Sequence, residues 1–397
     1  MNRKIHQKRG AARRILTLIV GVFLIGVSGS AFGLVPDVWD GGGINSSWMT
    51  GPNWATNVAP APGDDLQFPA GAMQMTNFND FPNLTAFNSI AVQASGYELE
   101  GESIALAAGI VDSAAAGNST VDFSQRLTAS QTFQVTNAGA MLTYFGLIAQ
   151  EDKVLTFDGA GDHLVMGVIQ DNAFAGPSGG SVVKNGTGTV RLQQVNGYSG
   201  TTTVNAGAFL VNGVQASSPI TVAGGVLGGT GSVGQVTATG GAVNPGDGGP
   251  GILQAFGNVT FGSGATFAVE LNGTSAGSGY DQLSVIVGAV DLGSATLDIS
   301  LGFVPMVGDA FRIINKSSPG AIVGTFAGLP QGSTVVVGGT QFKIDYTGGT
   351  GNDVVLTVSS QVGQRPVPAL DRRGIVLAAV LLFAVGVLAQ RRSTRRG

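Results

Sequence analysis

The sequence predicts an all-β fold in which short strands coil into a stacked solenoid, and three observations lead there. Between residues 182 and 212, apolar and threonine residues recur at strand spacing: Val190 with Leu192, Thr202 with Val204, Phe209 with Val211, each pair sharing a face. Asn185-Gly186, Asn196-Gly197 and Asn205-Ala206-Gly207 separate these runs and supply the left-handed positions that tight turns demand. Composition agrees, because 64 of 397 residues are glycine while 43% are hydrophobic and only 11% charged. Such a chain is too apolar for a disordered linker and rich in corners.

Length alone allows two or three domains, but the turns of a solenoid pack only on their neighbours, so one elongated body is expected. The chain has no cysteine. Disulfides, thiolate metal sites and a cysteine nucleophile are thereby excluded, and stability rests on strand pairing and stacked apolar rungs.

The ends concern location. Residues 1–33 carry Arg3, Lys4, Lys8, Arg9, Arg13 and Arg14, an apolar run over 15–27, and small residues at Gly29, Ala31 and Gly33. This is the pattern of a secretory signal peptide; an uncleaved anchor is the alternative reading. At the other end a Pro-containing linker over 361–373 precedes an apolar stretch predicted as a transmembrane helix over 374–390. A basic tail, 391–397, should stay cytoplasmic.

Setting these ends aside changes the charge. The full chain is −4; the leader holds six basic residues, and six Arg against one Asp follow Leu370, which leaves −15 for the body between. That charge argues against nucleic acid and anionic lipid as partners of the body and favours solubility outside the cell.

Within the body, Trp39, Trp48 and Trp54 cluster in a Pro- and Gly-rich stretch read as an N-terminal cap, 34–86. Exposed rings for stacking on glycans are the alternative. Short strand-like runs at intervals of about 20 residues follow, without a helical stripe, and assign 87–308 to the solenoid. Longer alternating strands over 309–360 predict a C-terminal β-sheet cap.

The unit at 182–212 closely resembles the autotransporter-associated β-strand repeat of bacterial surface proteins. The shared positions are Lys184, Gly186, Gly188, Thr189, Val190, Leu192, Tyr198, Gly200, Thr202, Val204, Asn205, Gly207 and Phe209. The resemblance implies a parallel β-helix, with the Trp-rich opening similar to that of many proteins of this family. It does not imply an activity. The C-terminal segment resembles the IPTL-type sorting tags of Gram-negative bacteria through Val367, Pro368, Ala369, Leu370 and Gly374, with Arg373 where the family has Trp. That likeness implies an exosortase-like sorting enzyme as a partner.

Chemistry-bearing residues are few. His163 is the one histidine left after removal of the leader, and it lies beside Asp158 and Asp162. An Asp/Asp/His set recurs in β-helix pectin hydrolases, whose inverting chemistry needs carboxylates held across a cleft. Their G-H-G and R-x-K patterns are missing here, so ordinary corner residues are expected. Asp64 and Asp65 are adjacent, and adjacent strand residues point apart. Residues 348–356 fit the calcium nonapeptide G-G-x-G-x-D-x-U-x, but in one copy, whereas an ion takes 6 to 8 oxygens from neighbouring copies. Asp353 is the residual calcium candidate, and a Gly-rich turn is the expectation. Gly224, Gly225, Gly228, Gly229 and Gly231 lack the Lys-Ser/Thr of a phosphate loop, and Tyr198 and Tyr280 are read as corner packing.

The expected function is therefore a non-enzymatic, cofactor-free, exported protein of the cell envelope or surface. Its role is structural or adhesive, toward an extracellular glycan or protein surface. A polysaccharide-active β-helix enzyme and a glycan-binding module are the alternatives.

Overall fold

The computed structural model describes residues 35–171, 173 and 178–361. The chain divides into two compact units, Met1–Val35 and Pro36–Gly397, and the architecture below is that of the second. The signal peptide expected at 1–33, the sorting positions Val367, Pro368, Ala369, Leu370 and Gly374, the span 374–390 and the tail 391–397 lie outside the described residues. Among the described residues no helix is long and apolar enough to cross a membrane.

Alternation makes the strands. In Thr189–Leu192 the side chains of Val190 and Leu192 are buried while Thr189 and Arg191 are half-buried on the other face. Asp65–Phe68 and Asp162–Val165 repeat the pattern. The described residues contain a single helical turn, the 3₁₀ segment Gly51–Asn53.

Each circuit of the chain lays a strand beside its counterpart in the previous circuit, always parallel. Val182 lies beside Thr202, Thr202 beside Ile220 and Ile220 beside Val236, so circuits here take 16–20 residues. One ladder runs from Asp37–Val38 to Val290–Asp291 and a second from Thr76–Asn79 to Thr296–Leu301. The third side starts as the first half of Ile104–Asp112, which pairs with Gln125–Leu127 while the second half pairs with Gln131–Val135. It continues through Ile148–Ala149 and Ile169–Gln170, and then from Val214–Gln215 to Ala310–Lys316. This is the all-β, parallel, coiled arrangement that the alternation and the corners imply.

The parallel stacking already includes Asp37–Val38 and Asp65–Phe68. The aromatic segment is thus coiled itself, and its coils close over a dense rung. Trp39, Trp48 and Trp54 are completely buried; Trp39 and Trp54 meet edge to face at 5.3 Å, and Phe68 lies within 6.3 Å of all three rings. At the other end Ala310–Lys316 pairs in parallel with Gln282–Val287 and antiparallel with Asp353–Gln361. Thr340–Gly348 and Thr334–Val337 extend this antiparallel sheet. Phe326 stacks on Phe267 at 6.0 Å and closes the last rung. Its N–H donates to the Tyr346 hydroxyl at 3.0 Å, and that hydroxyl donates to Leu329 O at 2.6 Å.

Corners set the spacing between circuits. Gly207 has φ +62°, and a Cβ there would stand 2.2 Å from Gly188 O, which is itself backbone of the preceding circuit. No rotamer relieves such a contact. Gly207→Ala should therefore cost on the order of 2 kcal/mol or more in denaturant unfolding. Ala206→Gly, one position away, should cost only a few tenths.

Candidate functional site

The motif positions of the 182–212 unit divide between core and corner. Val190, Leu192, Tyr198, Val204 and Phe209 are completely buried. Tyr198 is more than corner packing: its hydroxyl is 2.8 Å from Thr202 Oγ1, which is 2.9 Å from Ser218 Oγ, a polar thread inside the coil. Lys184 turns inward at the corner, 1% exposed. Its ammonium donates to the carbonyls of Asn185, Gly186 and Ala206, three acceptors for three protons. Burial pulls this lysine down to about 8, against the opposing attraction of Asp158 and Asp162. Asn205 continues the corner by donating to Asn185 Oδ1 at 2.9 Å. Arg191, facing out from the same unit, reaches Asp162 at 3.3 Å and Asp247 at 3.2 Å.

His163 sits on a strand with its ring in the core, 1% exposed, and is not the corner residue expected. Tyr144 stacks on it and Phe157 meets it edge-on at 5.0 Å. Nε2 is 3.0 Å from the Asp158 main-chain carbonyl, which only accepts, so Nε2 carries the proton and Nδ1 accepts from the Tyr144 hydroxyl at 3.0 Å. Burial holds the imidazole down at about 4. The carboxylates go elsewhere: Asp158 accepts from Gly159 N–H at 2.7 Å, and Asp162 from Thr189 N–H at 2.8 Å and from Arg191. The three groups do not converge, so they form no acid/base pair across a cleft.

Asp64 and Asp65 diverge as strand geometry requires. Asp65 accepts from Asn88 and Ser89, and Asp64 from Ala61 N–H at 2.6 Å. A carboxyl pair forms across circuits, between Asp37 and Asp64. Burial and then the hydrogen bond and charge of Asp64 push Asp37 up to about 6. Sequence spacing could not expose it, because the partners meet only once the register is known. The tryptophans cannot serve as a stacking platform. Their rings are buried and their indole N–H groups donate internally to Gln74 O, Asn77 Oδ1 and Trp48 O at 2.6–2.8 Å.

Asp353 is fully buried and its oxygens are engaged. Lys316 N–H donates to Oδ1 at 2.8 Å, Thr350 N–H to Oδ2 at 3.1 Å, and the Arg312 guanidinium lies 3.4 Å from Oδ2. A side-chain cation thus faces the carboxylate where the nonapeptide would place calcium. Among the described residues no group of three acidic or histidine side chains could hold a metal ion. Lys316 mirrors Lys184, its ammonium donating to Ser318, Pro319 and Gly320 carbonyls at 2.7–2.9 Å.

Beside this turn is a cavity of about 480 Å³ lined by Ala276, Tyr280, Gln282, Ala310, Arg312, Asn315, Gly349 and Val355. Sequence reading treated Tyr280 as packing, and its ring does meet Phe311 edge-on at 5.4 Å. Arg312 went unnoticed, though an arginine inside an alternating apolar strand of an acidic body was its signal.

Residues 182–211 match the family model described as passenger-associated-transport-repeat. Over that stretch the chain carries an autotransporter-passenger-like repeat, as the resemblance implied. No curated protein matches the chain.

Two outcomes are expected. His163 titrates near 6.5 when unfolded and near 4 when folded. The folded state therefore binds fewer protons between these values, and stability present above pH 6.5 is lost as pH falls toward 4. The loss is on the order of 3 kcal/mol, and urea titrations of His163→Gln should show a flatter acid limb than those of the wild type. Asp353→Ala should cost about 2–3 kcal/mol by leaving the Lys316 and Thr350 amides without their acceptor, while Tm in calcium and in chelator should coincide for the wild type.

Proposed function

We propose that this chain is an exported surface protein whose coiled body serves a structural or adhesive role without catalysis. The passenger-like repeat at 182–211, seated in an uninterrupted parallel ladder, is the observation that carries this reading. Repeats of this kind belong to the exported, surface-facing part of a protein, and the −15 body suits an aqueous exterior. The non-enzymatic part of the proposal draws on the chemistry above. The described histidine is a neutral core residue, its neighbouring carboxylates are spent on backbone and arginine, and the adjacent Asp64 and Asp65 face apart.

Delivery belongs to the same proposal. Residues 1–33 direct secretion, and 367–397 act as an IPTL-type tag read by an exosortase-like enzyme at Val367, Pro368, Ala369, Leu370 and Gly374. The apolar run over 374–390 holds the chain in the inner membrane until it is processed. Fractionation with C-terminal mass spectrometry checks this: the surface form should end near Gly374. An intact Gly397 in the inner membrane would sink the sorting reading, and protection of the body from protease added to whole cells would sink the surface reading.

A further inference from the structure

We propose that the cavity over Arg312 binds an acidic saccharide, a hexuronate unit held by its carboxylate; the inference rests on the adhesive reading and gives that reading a ligand.

The first support is where the charge lies. None of the eight residues lining the cavity is acidic, although the body as a whole is −15. The carboxylate that compensates Arg312 belongs to Asp353, whose side chain is 0% exposed, whereas that of Arg312 is 41% exposed. The acid is therefore beneath the guanidinium and the cation faces out. At ordinary salt, charges farther than about 8–10 Å are screened, so the local cation outweighs the general acidity for a ligand seated in the cavity.

The second is the geometry of the guanidinium. Nε faces Asp353 at 3.4 Å, and Nη1 donates to Asn315 Oδ1 at a long 3.3 Å. Nη2 lies over Gly349, 3.0 Å from where a Cβ on that residue would stand, so any side chain there would cover it. The Nη1/Nη2 edge is the planar fork that takes a carboxylate through two parallel bonds. Oδ1 of Asn315 is a weak competitor that a carboxylate displaces.

The third is what surrounds the fork. Tyr280 and Asn315 bring a hydroxyl and an amide, groups that read sugar hydroxyls, while Gln282 donates from Nε2 to Arg312 O at 2.8 Å and offers its Oε1; the apolar lining is confined to Ala276, Ala310 and Val355. The volume, about 480 Å³, lies at the small end of ligand sites and fits one or two sugar rings.

The test is calorimetric titration of the full-length chain in detergent with trigalacturonate, a neutral maltotriose control and a tripeptide with a free C-terminus. Trigalacturonate should bind at least about tenfold more tightly than either control, and more weakly at 1 M salt. Arg312→Lys keeps a cation beside Asp353 but removes the fork, and should weaken binding about tenfold with Tm unchanged. Tyr280→Phe leaves the charge in place and should weaken it severalfold. Equal binding of uronate and maltotriose, tighter binding of the tripeptide, or wild-type affinity in Arg312→Lys each overturns the inference. Cells producing the chain are scored for surface adhesion in parallel. Adhesion without uronate binding overturns this inference and leaves the adhesive reading standing, while uronate binding without adhesion does the converse.

Discussion

Everything in this body depends on how closely one circuit can approach the next at the corners. Parallel ladders need a spacing of about 4.8 Å along the stack, and along the sides alternating side chains accommodate it easily. At the corners the backbone itself must stack. The carbonyls of Gly159, Gly161 and Gly188 stand where the Cβ atoms of Gly186, Gly188 and Gly207 would be, at 1.8–2.2 Å. Glycine is thus a condition of closing the ladder, and its abundance in the sequence is the imprint of that condition.

The corners also govern where charge goes. Bending the chain turns several carbonyls toward one point with no strand partner for them, and an unpaired buried carbonyl is costly. Lys184 and Lys316 solve this by folding their ammonium groups back over three carbonyls each. Both lysines therefore leave the solvent side of the protein. With them inside, and with Arg191 tied to Asp162 and Asp247, much of the positive charge of the body is committed internally and its outer surface is more acidic than the composition implies.

The strands were legible because period-two alternation and Asn/Gly corners are local signals, and Thr189–Leu192 shows both within a few residues. What joins circuits was not. Asp37 and Asp64 become a carboxyl pair only through the pairing of Asp37–Val38 with Asp65–Phe68, a relation that no spacing in the chain announces. His163 was read with the carboxylates of Asp158 and Asp162, whereas the rings that enclose it, Tyr144 and Phe157, come from other strands. At the calcium-like turn the residues fit a motif and a Gly-rich turn was expected; what the sequence could not show is that the register places Arg312 against Asp353.

The last described strand gives the body a mechanical property. Asp353–Gln361 runs antiparallel between Ala310–Lys316 and Thr340–Gly348, so it is held along both edges. A pull applied through Gln361 acts along the strand axis and slides it against both neighbours. Every bond in the two ladders is then loaded at once, in shear, instead of being opened one after another as in a zipper. A load entering at that end of the described residues would meet both ladders in parallel, and so their summed resistance.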